Sequence, residues 1–132
     1  TPHLVRADSF KTKIHRAKVD KKYYPIVYEG MARVFESGTA AASKLEGINM
    51  CGKTGTADNS HGKPHSILVG FAPRENPKIA IAVVVENAGY GSTYAAPIFS
   101  LLVEQYLKGK IERRELLDKT TNKITNTNVK ER

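Results

Sequence analysis

Tryptophan is absent from these 132 residues, cysteine occurs once, and no apolar run approaches the roughly 20 residues that a membrane-spanning helix needs. A single thiol, Cys51, excludes an intrachain disulfide and does not distinguish a reducing compartment from an oxidising one. Internal repeats are lacking. The start, Thr1-Pro2-His3, has neither an initiator methionine nor a signal-peptide pattern, and the expectation is a longer parent with any anchor upstream. Acidic residues are scarce, with 13 Asp and Glu against 21 Lys and Arg, for a net charge of +8. The excess is confined to the ends: residues 1–22 carry +5, residues 23–107 carry −1 and residues 108–132 carry +4. A nucleic-acid module would place its cations on a folded face with aromatic stacking partners. Here the cations lie in flanks with little periodicity, which reads as a solvated surface with no nucleic-acid partner. Attraction to anionic head groups or wall polymers is compatible with that pattern.

The length suits one small domain, and the chain divides into a basic lead-in (1–22), a central unit (23–107) and a basic polar tail (108–132). In the centre, Tyr24 to Phe35 place apolar residues at helical spacing, with Pro25 in the first turn and Gly38 beyond the end. Three strand-like runs follow, at about 48–57, 66–72 and 78–86. Pro73-Arg74-Glu75-Asn76-Pro77 supplies hairpin-loop chemistry between the last two. Beyond the bend Gly89–Ser92, a second helix is predicted over 95–107, with Phe99, Leu102, Val103 and Tyr106 read as core residues covering the sheet. The fold class is α+β, a three-stranded antiparallel meander with flanking helices, since adjacent antiparallel strands joined by loops form the simplest topology. In the tail, residues 111–118 are compatible with a short surface helix, whereas Asn122 to Arg132 are Thr-, Asn- and Lys-rich and predict disorder.

The residues with most chemical content are Lys53-Thr54-Gly55-Thr56, inside the first run and leading into the polar loop Asp58–Pro64. Strand geometry sends Thr54 and Thr56 to one face, and Lys53 with the absent side chain of Gly55 to the other. Two hydroxyls on one side suit a carboxylate, and Gly55 allows a ligand backbone to lie against the strand. An exposed edge there would accept an extended peptide, with the Thr56 N–H available to a developing oxyanion. Read alone, the same residues are equally a surface strand with one lysine and two β-branched threonines.

The other reactive residues have simpler explanations. Cys51 reads as a small buried apolar residue, without a sequence-local base to make it catalytic. His61 and His65 have the spacing of a helical metal pair, but Gly62 and Pro64 between them argue against a helix, so no metal or other cofactor is expected. They are read as a loop at the mouth of a cleft, while His3 and His15 belong to the basic flank. Glu86 and Asn87 read as strand-end hydrogen bonding or capping. Tyr90 and Tyr94 flank a bend and fit either helix packing or a pocket rim.

Taken in order, the helix, Gly38-Thr39-Ala40, the Lys53–Thr56 strand, Gly70-Phe71-Ala72-Pro73, Val84-Val85-Glu86-Asn87-Ala88-Gly89 and the final helix resemble a known family. From Tyr23 to Leu107 the chain is similar to the C-terminal part of a class B penicillin-binding protein transpeptidase domain, of the elongation type called penicillin-binding protein 2. The resemblance implies an incomplete piece of the β-lactamase/transpeptidase-like fold, whose parent cross-links peptidoglycan stem peptides by acyl transfer through a serine. Its three motifs are S-x-x-K, S-x-N and K-T-G. Lys53 would support the field and proton network of the middle motif, Thr54, Gly55 and Thr56 would bind the substrate or β-lactam, and the Thr56 N–H would complete the oxyanion hole. No S-x-N triplet occurs, and the sole S-x-x-K match, Ser60-His61-Gly62-Lys63, follows the lysine motif and sits in a loop. The nucleophile is therefore expected upstream of this chain, which alone is expected to be inactive. A lone Ser60 lacks the base and oxyanion donors that would activate it. The resemblance also implies a periplasmic location at the inner membrane and contact with elongation-complex proteins. Alternatives are a serine β-lactamase or β-lactam sensor, which share the lysine motif, and a non-catalytic wall-binding module.

Overall fold

The computed structural model describes the backbone of residues 16–129 and the side chains of residues 16–126. A turn of 3-10 helix, Lys21–Tyr23, capped by the Asp20 carboxylate on the Lys22 N–H, leads into helix α1, Tyr24–Glu36. Strands β1 (Cys51–Ala57), β2 (His65–Ala72) and β3 (Ile79–Val85) follow, then helices α2 (Ala95–Lys108) and α3 (Arg114–Val129). The sheet is an antiparallel meander in the order β1-β2-β3, with Lys53 opposite Val69 and Gly55 opposite Ile67. The expected α+β meander is thus present, its strand bounds within three residues of those predicted.

One sheet face is paved by Gly52, Gly70, Leu68 and Val83, and α1 and α2 supply the rings that fill it. Phe35 and Phe99 stack at 5.5 Å between centroids. A Cβ on Gly52 would run into the Phe35 ring at 2.9 Å, and one on Gly70 into Phe99 at 2.8 Å. The paired glycines, opposite each other in the register, are therefore the seats of these two rings. On the other face of β1, the Tyr28 ring meets Phe71 edge-on at 5.4 Å and the Tyr28 carbonyl takes the Cys51 thiol. Helix α2 ends at Gly109, whose φ of 73° provides the left-handed cap that returns its N–H to Gln105.

Two expectations need correction. Phe99 and Val103 are fully buried, but Leu102 and Tyr106 are 45% and 59% exposed. The buried stripe of α2 runs through Ala96, Phe99, Ser100 and Val103, and Leu102 and Tyr106 project away from it. The tail is helical from Arg114 to Val129, where composition predicted disorder from Asn122 onward. Leu116, Thr120 and Ile124 recur every four residues along its less exposed side. The hydroxyls of Thr120, Thr121 and Thr125 bond back to carbonyls four residues earlier, so threonine-rich polarity is satisfied within the helix. Residues 1–15 of the basic lead-in, with His3 and His15, and the tail residues 130–132 lie outside the described residues.

Apolar side chains remain on the surface: Ile26 is 70% exposed, Val27 54%, Val84 61% and Val69 46%. Such faces, on one helix and on the sheet side away from α2, are normally covered in a complete domain. The isolated chain is accordingly expected to self-associate at tens of micromolar in light scattering. A stable monomer there would show that these faces tolerate water.

Candidate active-site strand

Strand β1 is an edge of the sheet among the described strands, and Lys53 and Thr56 are exposed on it. Alternate N–H and C=O groups along that edge lack a strand partner, which is the condition for adding an extended peptide. The Lys53 ammonium turns back onto the Thr54 carbonyl at 2.6 Å and enters no ion pair among the described residues. Its charge is therefore free for an external partner. Thr54 and Thr56 share a face, as predicted from the pleat, but their surroundings differ. The Thr54 hydroxyl meets the Thr39 hydroxyl at 3.0 Å, a contact between the connection after α1 and the strand. A hydroxyl offers one donor and two acceptor positions, so Thr54 keeps capacity for a ligand while its rotamer is held.

At Gly55 a Cβ would meet the Ile67 side chain, Cβ at 3.4 Å and Cγ2 at 3.8 Å, an ordinary contact. The close approach occurs instead at Gly91. There a Cβ would fall 2.5 Å from the Ile67 carbonyl and 2.7 Å from that of Gly55, so the bend after β3 lies directly on the site strand. The Ser66 hydroxyl fixes this bend, donating to the Tyr90 carbonyl at 2.9 Å and accepting the Ala95 N–H at 3.1 Å. The Tyr90 ring is 72% exposed and so does not pack on α2. Tyr94, half-buried, sits at the start of that helix.

Of the two histidines read as one loop, only His61 lies between β1 and β2, and His65 opens β2, because it pairs with the end of β1 at Ala57. His61 Nδ1 pairs with the neighbouring Ser60 hydroxyl at 2.8 Å, and His65 Nδ1 accepts the Asn87 N–H at 3.0 Å. Ser60 is exposed, and its hydroxyl bonds that adjacent ring. Glu86 is exposed, and the strand-end bonding expected of it and its neighbour is carried by Asn87. Asn59, Asn87, Thr39 and Ser66 were not singled out as site-supporting residues from sequence. An asparagine followed closely by glycine after a strand is the one available signal.

Cys51 is fully buried, and burial raises its thiol above the ordinary range. The thiolate is thus disfavoured, and native Cys51 is expected to resist iodoacetamide at pH 8, reacting only when urea exposes it. Fast native alkylation would contradict this burial.

A family model described as "Penicillin binding protein transpeptidase domain" matches residues 1–104. Peptidoglycan D,D-transpeptidase PbpA of Mycobacterium tuberculosis is 37% identical over 75 residues, which is 50% of this chain and 15% of that protein. The solved structure of Pseudomonas aeruginosa PBP2 in complex with WCK 5153 aligns with a TM-score of 0.60 and 37% identity, covering 72% of this chain and 22% of that one. That of penicillin-binding protein A from M. tuberculosis, an imipenem acyl-enzyme complex, aligns at 0.62 and 32%, covering 70% and 21%. The chain therefore spans less than a quarter of each of these proteins.

Proposed function

The chain belongs to the penicillin-binding protein transpeptidase family, and from that premise we propose that it forms the lysine-motif wall of a serine D,D-transpeptidase cleft whose nucleophile lies upstream in the parent. The observation that carries this reading is the placement of Lys53-Thr54-Gly55-Thr56 on a sheet edge, with an ammonium that, among the described residues, is engaged only by its own strand. In the reaction, the upstream serine oxygen forms an ester with the stem-peptide carbonyl, and the terminal residue departs as an amine carrying the proton. A second stem-peptide amine then attacks the ester and restores the serine. The Thr56 N–H stabilises the oxyanion of both tetrahedral states, and the hydroxyls of Thr54 and Thr56 hold the terminal carboxylate. The Lys53 ammonium provides the positive field under which that anion and the middle motif's proton network are stable. A β-lactam, with its carboxylate and acylating carbonyl, fits the same donors.

Stem peptides and the upstream part of the parent are the partners of this reading, and elongation-complex proteins belong to the whole enzyme. An extracytoplasmic site of action follows from the substrate, with a periplasmic location and an upstream membrane anchor as the specific form. No described helix is long and apolar enough to cross a membrane. The test is intact mass after incubation with a fluorescent penicillin, for this chain alone and mixed with the upstream portion. Expected are no adduct on the chain alone and a stable adduct on the upstream piece that requires this chain. An adduct on the isolated chain, at Ser60 or Cys51, would overturn the assignment. Rapid loss of the upstream adduct would point to a β-lactamase instead.

A further inference from the structure

Asn87 lies in the turn two residues beyond β3 with a φ of 53°, the one non-glycine residue in the left-handed region among the described residues. Its side chain faces the loop that follows the lysine-motif strand. The His61 N–H donates to Asn59 Oδ1 at 3.0 Å, and a backbone N–H can only donate, so the Asn59 amide nitrogen is turned the other way. That nitrogen donates to Asn87 Oδ1 at 2.6 Å, in a part-buried contact. The Asn87 N–H donates to His65 Nδ1 at 3.0 Å, and the Gly89 N–H to the Pro64 carbonyl at 2.7 Å. Gly62 makes room, since a Cβ there would stand 3.0 Å from Asn87 Oδ1. A few residues further on, Gly91 rests on the Gly55 and Ile67 carbonyls. One set of contacts thus runs from the loop after Thr56, through Asn87, to the backbone of the site strand itself.

We propose that Asn87 is a positioning residue for acyl transfer, its amide latching the 58–64 loop to the bend 86–91 so that the Thr56 end of the strand is held in register with the reacting carbonyl. This rests on the transpeptidase reading above. The left-handed backbone and the amide acceptor are separable demands. Asn87→Gly keeps the first and removes the second, whereas Asn87→Asp keeps an acceptor for Asn59. Asn59→Ala removes the donor from the other side without touching the left-handed position.

The experiment uses the full-length parent and a fluorescent penicillin, resolving the acylation rate constant from the binding constant, alongside thermal unfolding. The expected result is about a tenfold or greater fall in the acylation rate constant for Asn87→Gly and Asn59→Ala, with near wild-type values for Asn87→Asp. Thermal midpoints are expected to change little, because both residues lie in surface loops. Equal rates in all variants, or losses that track the thermal midpoint, would overturn the proposal. Hydrogen exchange of a peptide spanning residues 54–60 separates this result from the functional reading. If wild-type parent is not acylated at all, the transpeptidase reading fails, and faster exchange in Asn87→Gly than in Asn87→Asp still supports the latch. Unchanged exchange would reject it.

Discussion

Lys53→Ala in the full-length parent is expected to lower acylation by a fluorescent penicillin about 10²–10³-fold, the cost of removing one preorganised charge or donor from a transition state. The same substitution is expected to leave stability within about 0.5 kcal/mol, as for a surface site without special contacts. The structural reason is that Lys53 is exposed and, among the described residues, its ammonium bonds only the Thr54 carbonyl. Removing it orphans no buried group. Lys53→Arg restores the charge but replaces a compact ammonium by a planar fork, so partial recovery is expected. Single-turnover labelling with a parallel thermal melt checks both parts. A variant that labels normally, or one that loses activity only because it unfolds, would remove Lys53 from the chemistry.

Arg113→Ala is expected to have the opposite profile, destabilising the fold by about 3–5 kcal/mol, the usual consequence of leaving a buried charge without its partner. Glu104 on α2 has a side chain only 1% exposed, and Arg113 Nε reaches its Oε2 at 3.0 Å. The rest of the guanidinium is also used: Nη1 donates to the Lys44 carbonyl at 3.0 Å, and Nη2 to the Ser100 carbonyl and hydroxyl at 3.1 and 2.7 Å. Ser100 in turn donates to the Ser43 carbonyl at 2.5 Å. One side chain thus ties the end of α2 and the start of α3 to the connection before β1. Lys108 also pairs with Glu104, but at 3.9 Å, beyond hydrogen-bond length, so it does not replace the Arg113 contact. Arg113→Lys is expected to rescue little, because a lysine lacks the five-donor fork. Arg113→Met with Glu104→Leu is expected to recover most of the loss, since removing both charges leaves none unpaired. Urea unfolding of the wild type, Arg113→Met, Glu104→Leu and the double variant gives the coupling directly. Additive effects would mean that the pair is not a unit.

The two predictions divide as the residues do between site and scaffold. Lys53 lies in a strand whose alternation is visible in the chain, whereas Glu104 and Arg113 acquire their meaning from helices meeting at Gly109. Read along the chain, Glu104 is an acidic residue within an apolar-periodic helix and Arg113 one cation in a basic tail. The same limit explains Leu102 and Tyr106. Spacing shows that both can share a helical face with apolar neighbours, but the sheet covers only the stripe through Phe99 and Val103. The tail helix runs past the short stretch legible at 111–118 because its buried positions include Thr120, a residue that composition counts as polar.

What the sequence by itself determined was the order of elements, the α+β meander, the glycine and proline punctuation and the Lys53–Thr56 strand that led to the family. These follow from periods of 2 and 3.6 residues and from turn chemistry, which act between near neighbours. Tertiary structure alone decided the rest. It brought Thr39 to Thr54 across 15 residues, Asn59 to Asn87 across 28 and Lys44 to Arg113 across 69. The physical reason is that a hydrogen bond between distant residues depends on where loops return the chain to within about 3 Å, and no local pattern encodes that distance.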